Sequence, residues 1–270
     1  MSRYVTSTDG SRIGYETLGA GPGLIVLSGA LVRGADYRPL ARALADSHTV
    51  HLVDRRGRGA SGPQGHAYGV HTEVADLAAV VRDTGAPYLF GHSYGGLIAL
   101  RAAVTGAVQP RAIAAYEPGA SIDGSLPTWF LPAMHEAVAR QRPARAMALL
   151  IKGLQVDGAI SRLPLPLLTA ASALMLTTFL RSFRQTIDVL PAELSAAAAL
   201  DGPASAYAGL PVRTHLMIGE RGQRYLRDAA TALGAASPGA RLNVMPGLGH
   251  AGPLRAPDRM AAELRTVFRD

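Results

Sequence analysis

The chain has 270 residues, 48% of them hydrophobic, enough to bury a sizeable core and too many for a disordered chain. Its 27 basic against 20 acidic residues give a formal net charge of +7, but the arginines are scattered and Lys152 is the single lysine, so no nucleic-acid-binding face is expected. With no cysteine, disulfides, thiolate zinc sites and a cysteine nucleophile are all excluded.

The opening MSRYVTSTDGSRIGY lacks the apolar run of a secretory signal, and a cytoplasmic protein is expected. RYVTSTDG and RIGYETLG read as a hairpin turning at Asp9-Gly10. GLIVLSG and HTVHLVDR are buried-strand candidates with a helix near 36–45 between them. A helix near 72–83 leads into the short strand PYLFG, a helix containing LIALRAA follows, and RAIAAYEPG is the next strand. Such β and α alternation implies a mostly parallel sheet with helices on both faces.

Between about 119 and 209 the rhythm breaks: Ala, Leu and Met recur at helical spacing and no strand-like run appears. Residues 119–209 are therefore expected to be a helical cap inserted into a core made of 1–118 and 210–270. The uncharged stretch 163–180 reaches only the lower limit of a membrane span and contains Pro164, Pro166 and several hydroxyl residues, so a lid or buried helix is expected and no membrane. Alternation resumes with PVRTHLMIGE, a helix near 223–234, ARLNVMPG and a last helix near 257–268.

Gly91-His92-Ser93-Tyr94-Gly95, with Gly96 following, sits at the strand-to-helix junction. Small neighbours there let strand and helix approach closely while the serine is held in a strained conformation, and the start of the helix aims N–H groups at it. A serine hydroxyl needs a base within hydrogen-bonding reach. Among the eight histidines His250 has the best setting, in the Gly- and Pro-rich loop MPGLGHAGP after the last strand. His48 and His51 flank a strand, His92 faces away beside the serine, and His135 lies in the insertion.

On these motifs the chain resembles the α/β-hydrolase-fold serine hydrolases over essentially its whole length. The resemblance implies that fold: a mostly parallel eight-stranded sheet, helices on both faces, and the cap inserted after the sixth strand. DRRGRGASG is similar to the family's Asp-x-Arg-Gly-x-Gly-x-Ser loop at Asp54, Arg56, Gly57, Gly59 and Ser61, and its charges are expected to hold that turn. The family's usual acid would stand at 222, where this chain has Gly222. Glu117, in AAYEPG, resembles the arrangement of members such as the haloalkane dehalogenases, whose acid ends the sixth strand, although Ser93 replaces their nucleophilic aspartate. Glu117 is favoured as the third catalytic group with Ser93 and His250, ahead of Glu220 and, third, Asp123.

The resemblance further implies an oxyanion hole from the N–H of Tyr94 and of Ala30, with Leu31 possible; Ser28-Gly29 stands where the family commonly has His-Gly. Apolar residues near and within the cap, Leu31, Trp129, Phe130, Leu131, Met134, Leu174, Met175 and Phe179, are candidates to line a pocket for a small hydrophobic substrate. The expected activity is hydrolysis of an ester, thioester or related acyl bond through an acyl-enzyme on Ser93, by a monomer or homodimer. No cofactor is expected, and no metal, since no histidine pair has metal-ligand spacing. The same triad would also serve a cofactor-free lyase, cyclase or C–C bond hydrolase, and a non-catalytic ligand-binding protein is the alternative from another class.

Overall fold

The structure is a computed structural model, and it describes residues 2–156, 158–178, 181–210 and 213–269. In chain order the described residues form β1 (Ser2–Thr6), β2 (Arg12–Leu18), β3 (Gly23–Leu27), α1 (Arg38–Leu44), β4 (Thr49–Val53), α2 (Val70–Thr84), β5 (Tyr88–His92) and α3 (Tyr94–Val104). There follow β6 (Ala112–Tyr116), α4 (Leu131–Ala139), α5 (Pro143–Gly153), α6 (Leu165–Thr177) and α7 (Leu190–Ala198). The chain ends with β7 (Arg213–Gly219), α8 (Arg224–Ala236), β8 (Ala240–Met245), α9 (Gly252–Arg255) and α10 (Pro257–Val267).

The strands make one eight-stranded sheet in the order β1-β2-β4-β3-β5-β6-β7-β8. The first two strands pair antiparallel across the expected turn, where Gly10 has φ +85°, and β2 pairs antiparallel with β4. All other pairings are parallel. The run 88–92 is buried at every position, as is 112–116, because helices cover both faces there. One apolar layer packs α2 and α3 on one face through Leu77, Leu97, Ile98 and Leu100. The other sets α1 and α10 on the opposite face through Leu40, Leu44, Met260 and Leu264, with Tyr88 stacked on Phe268 at 5.0 Å. Each such fully buried leucine is worth about 2 kcal/mol relative to exposure.

Between β6 and β7 the described residues contribute α4 to α7 and no strand, only an isolated bridge from Ile122 to Gly202. The apolar stretch 163–180 supplies α6, which ends at Thr177 and leaves Leu167 and Leu174 exposed. No helix among the described residues is long and apolar enough to cross a membrane.

The register of the central strands indexes everything that follows. His92 lies opposite Tyr116, and Tyr116 opposite Met217. One step beyond, Ser93 N–H donates to Tyr116 O at 2.9 Å and Glu117 N–H to Met217 O at 2.7 Å. The residues that follow β5 and β6 therefore leave the sheet side by side, at the carboxyl edge where parallel sheets build their sites.

Candidate active site

Ser93 caps α3 with φ 53° and ψ −118°, a sparsely populated conformation costing about 1–3 kcal/mol. The cost is tolerated because neighbours fix it: Ser93 O accepts from Leu97 N–H at 3.1 Å and Gly119 N–H at 2.9 Å. The glycines supply room. A Cβ on Gly91 would stand 2.6 Å from Gly96 Cα, and one on Gly95 2.7 Å from the Leu27 carbonyl carbon. Strand and helix could not close to this distance with any side chain at either position. Tyr94 is the first residue of α3, so its N–H has no acceptor within the helix.

Glu117 directly follows β6, is fully buried and has φ +43°. Its carboxylate accepts two hydrogen bonds: Oε1 from Gly219 N–H at 2.9 Å, Oε2 from His250 Nδ1 at 2.6 Å. Donation from Nδ1 leaves His250 Nε2 as the basic nitrogen. The imidazole is one-third exposed, so it is supported from one side and open on the other. Glu220, by contrast, is exposed and accepts from Gly247 N–H at 2.7 Å, holding the turn after β8. Asp123 is exposed in the loop after β6, where its N–H bonds Gly202 O.

Gly222 lies against the Glu117 carboxylate. A Cβ there would overlap Glu117 Oε1 and stand 2.7 Å from its Cδ. The volume that an acid at 222 would enter is filled by the carboxylate arriving from β6. The sequence shows the absence of the acid; only the fold shows that the absence makes room.

A buried proton chain ties His250 to the loop after β3. His92 Nε2 lies 2.9 Å from the His250 carbonyl, which can only accept, so Nε2 carries the hydrogen. His92 Nδ1 then accepts from the Tyr37 hydroxyl at 2.6 Å, and the Tyr37 oxygen accepts from Gly29 N–H at 3.2 Å. Burial, reinforced by the neighbouring His250, holds the His92 pKa well below the usual histidine value and keeps this chain neutral. Burial likewise pushes the Tyr37 phenol up. The rings of His92 and His250 are 4.8 Å apart, which sets the His250 loop beside the Ser93 elbow.

The loop after β3 backs onto the serine: a Cβ on Gly29 would lie 3.3 Å from Ser93 Cβ. Ala30 is half-buried, and Leu31 is buried with φ 65°. The polar groups of DRRGRGASG hold its turn and tie it to neighbouring segments. Asp54 accepts from Gly34 N–H at 3.0 Å and Ala60 N–H at 2.9 Å, and Arg56 pairs with Asp76 at 2.6 Å.

The apolar candidates divide. Trp129 is 62% exposed and meets Phe130 edge to face, with ring centroids 5.8 Å apart. Phe130 and Met134 are buried, and Gly153 at the end of α5 leaves space for the Phe130 ring. Met175 is half-buried, Leu174 exposed, and Leu131 buried. Phe179 lies outside the described residues. Of the expected pocket residues, Trp129 is thus open to solvent while Phe130 and Met134 lie within the apolar core.

The alpha/beta hydrolase family model matches residues 24–263. Over 90 residues the chain is 37% identical to a pimeloyl-[acyl-carrier protein] methyl ester esterase of Xanthomonas oryzae pv. oryzae, covering 33% of this chain and 34% of that protein. The corresponding esterase of Stenotrophomonas maltophilia is 38% identical over the same length. The match thus spans about a third of the length of these curated relatives. Among solved structures, an alpha/beta hydrolase from Sphaerobacter thermophilus superposes with a TM-score of 0.83 at 28% identity, covering 99% of this chain and 100% of that one. An esterase from Exiguobacterium antarcticum gives 0.74 at 20% identity, covering 98% of each chain, a likeness of fold.

Proposed function

This chain belongs to the alpha/beta hydrolase family, and from that premise we propose that it is a serine hydrolase cleaving carboxylic or related acyl esters of small, largely hydrophobic substrates. The observation that carries the reading is the Glu117–His250 hydrogen bond at 2.6 Å, from a fully buried carboxylate to a histidine loop set beside the strained Ser93 elbow. Esterase relatives and the fold-level likeness to a solved esterase support it.

In this reading Ser93 Oγ attacks the acyl carbon and its proton passes to His250 Nε2. Glu117 keeps the ring in the productive tautomer and stabilises the imidazolium. The carbonyl electron pair becomes an oxyanion received by the N–H groups of Tyr94 and Ala30, each worth about 3 kcal/mol in the transition state. The alkoxide leaves with the proton from His250, and water, deprotonated by the same imidazole, hydrolyses the acyl-enzyme. Residues 119–209 act as the cap that selects the acyl group.

A fluorophosphonate should label the protein stoichiometrically at Ser93, and p-nitrophenyl esters of graded acyl length should turn over. Ser93→Ala should abolish both. Labelling elsewhere, or turnover that survives Ser93→Ala, would overturn the assignment.

A further inference from the structure

Four carbonyls in the loop after β3 are held by side chains from elsewhere. Arg55 Nε donates to Ser28 O at 2.9 Å and Arg55 Nη2 to Gly29 O at 3.0 Å. Arg58 Nη1 donates to Gly29 O at 3.2 Å and Val32 O at 3.0 Å. The Thr186 hydroxyl donates to Leu31 O at 2.7 Å.

A trans peptide points its N–H opposite to its C=O, and no peptide among the described residues is cis. Holding the Ser28 carbonyl therefore turns Gly29 N–H the other way, where it meets Tyr37. By the same geometry, holding the Gly29 carbonyl turns Ala30 N–H away from the arginines, in a loop whose Gly29 backs onto Ser93.

The arginines are in turn held from α7. Glu193 Oε1 pairs with Arg58 Nη2 and, at 2.9 Å, with Arg55 Nη1, which also meets Glu73 at 2.8 Å. All four side chains are at most 3% exposed. Without the Glu193 charge, Glu73 would be left to balance two buried guanidinium groups. Removing one partner from a buried ion pair destabilises the charge left behind. Arg58, with Thr186, Arg33 and Gln185, lines a cleft of about 410 Å³, which gives its freed guanidinium room to turn.

We propose that Glu193 and Thr186 are positioning residues that set the second oxyanion donor, Glu193 through Arg55, Arg58 and the Gly29 carbonyl, and Thr186 through the Leu31 carbonyl. Seating of the segment between β6 and β7 and orientation of Ala30 N–H are then one event. The inference rests on the acyl-transfer reading above.

The test compares wild type with Glu193→Gln and with Thr186→Val, which keeps the side-chain shape and replaces the hydroxyl by a methyl group. Each is assayed for p-nitrophenyl ester turnover and for inhibition by an alkyl trifluoromethyl ketone. Ser93 Oγ adds to that ketone's carbonyl carbon, its proton goes to His250, and the carbonyl oxygen becomes an oxyanion, so affinity reports the hole. Full loss of a donor costs about 10²–10³-fold, and misplacement in Glu193→Gln should cost about 10-fold in kcat, with KM within about two-fold and ketone affinity falling in proportion. Thr186→Val should show the same pattern at about three-fold. A purely structural role would lower Tm without that proportionality. If Glu193→Gln does not fold, Thr186→Val decides. Folded variants with unchanged kcat, or with kcat lowered and ketone affinity intact, overturn the inference while an active wild type preserves the acyl-transfer reading. A wild type that neither reacts with fluorophosphonate nor turns over ester overturns that reading and this inference with it.

Discussion

Gly222 offers the sharpest perturbation, because one methyl group there should disable a residue 105 positions away in sequence. A Cβ at 222 overlaps Glu117 Oε1, and Cδ, at 2.7 Å, is also inside van der Waals contact, so Gly222→Ala must push the carboxylate aside. Two bonds go with it, from Gly219 N–H and His250 Nδ1. The first leaves a buried donor unpaired, about 1–3 kcal/mol of stability. The second removes the group that orients the base in the proposed triad, which in comparable triads costs about 10⁴-fold in kcat, or about 5.4 kcal/mol of barrier. Gly222→Ala should therefore fold with a lowered urea midpoint and retain a small residue of esterase activity.

The decisive arm is the double substitution Glu117→Gly with Gly222→Asp. Glycine suits the positive φ at 117, and the aspartate enters the vacated space from the β7 side. Glu117→Gly alone should lose about 10⁴-fold, and the double variant should recover about 10-fold or more of that, measured as kcat on p-nitrophenyl acetate near neutral pH. Full activity in Gly222→Ala, or a double variant no better than Glu117→Gly, would refute the steric account of why the acid moved.

Two further outcomes follow from the same geometry. Glu117→Gln should lower kcat about 10⁴-fold while Glu220→Gln, which loses only a turn hydrogen bond, changes it less than about two-fold; comparable effects in steady-state assays would remove the acid assignment. The second concerns pH. Because burial depresses the folded-state pKa of His92, the unfolded chain binds the extra proton below about pH 6.5, and stability falls as pH falls. His92 contributes up to about 1.4 kcal/mol per pH unit in that window, so urea unfolding from pH 7 to 5 should show a shallower loss in His92→Gln; an unchanged slope would mean that His92 is not excluded from protonation. His51 and His215, whose values burial also lowers, titrate in both proteins and cancel from the comparison.

The sheet and the two principal site loops were readable because their signals are local. The glycines around Ser93 crowd within five positions, the turn at Asp9-Gly10 within two, and the β and α alternation repeats at short range. Glu117 could be singled out because it ends a strand pattern and because 222 holds no acid. What was unreadable is what crosses the fold. Arg55 and Arg58 occupy the unspecified positions of the Asp-x-Arg-Gly-x-Gly-x-Ser pattern, and Glu193 meets Arg58 from 135 residues away. No spacing rule connects them. The apolar candidates of the segment between β6 and β7 were unreadable for a different reason: a run of apolar residues does not say whether core, ligand or water lies opposite, and Trp129 is exposed while Phe130 is buried.

The ladder that aligns His92, Tyr116 and Met217 has a bearing on how such a protein can change. A slip of one residue in β5 or β6 would send Ser93 or Glu117 to the opposite face of the sheet, so length variation inside those strands is forbidden. Among the described residues the chain leaves the sheet after β6, at Tyr116, and is next in it at Arg213 of β7, so that excursion can lengthen, shorten or be rebuilt without retuning the distance between carboxylate and imidazole. On the proposed reading, what the molecule accepts and how it reacts are inherited on separate stretches of chain, stitched together at Glu193 and Thr186; a graft that replaced the excursion but omitted those two side chains is then expected to carry over the new selectivity and leave the reaction behind.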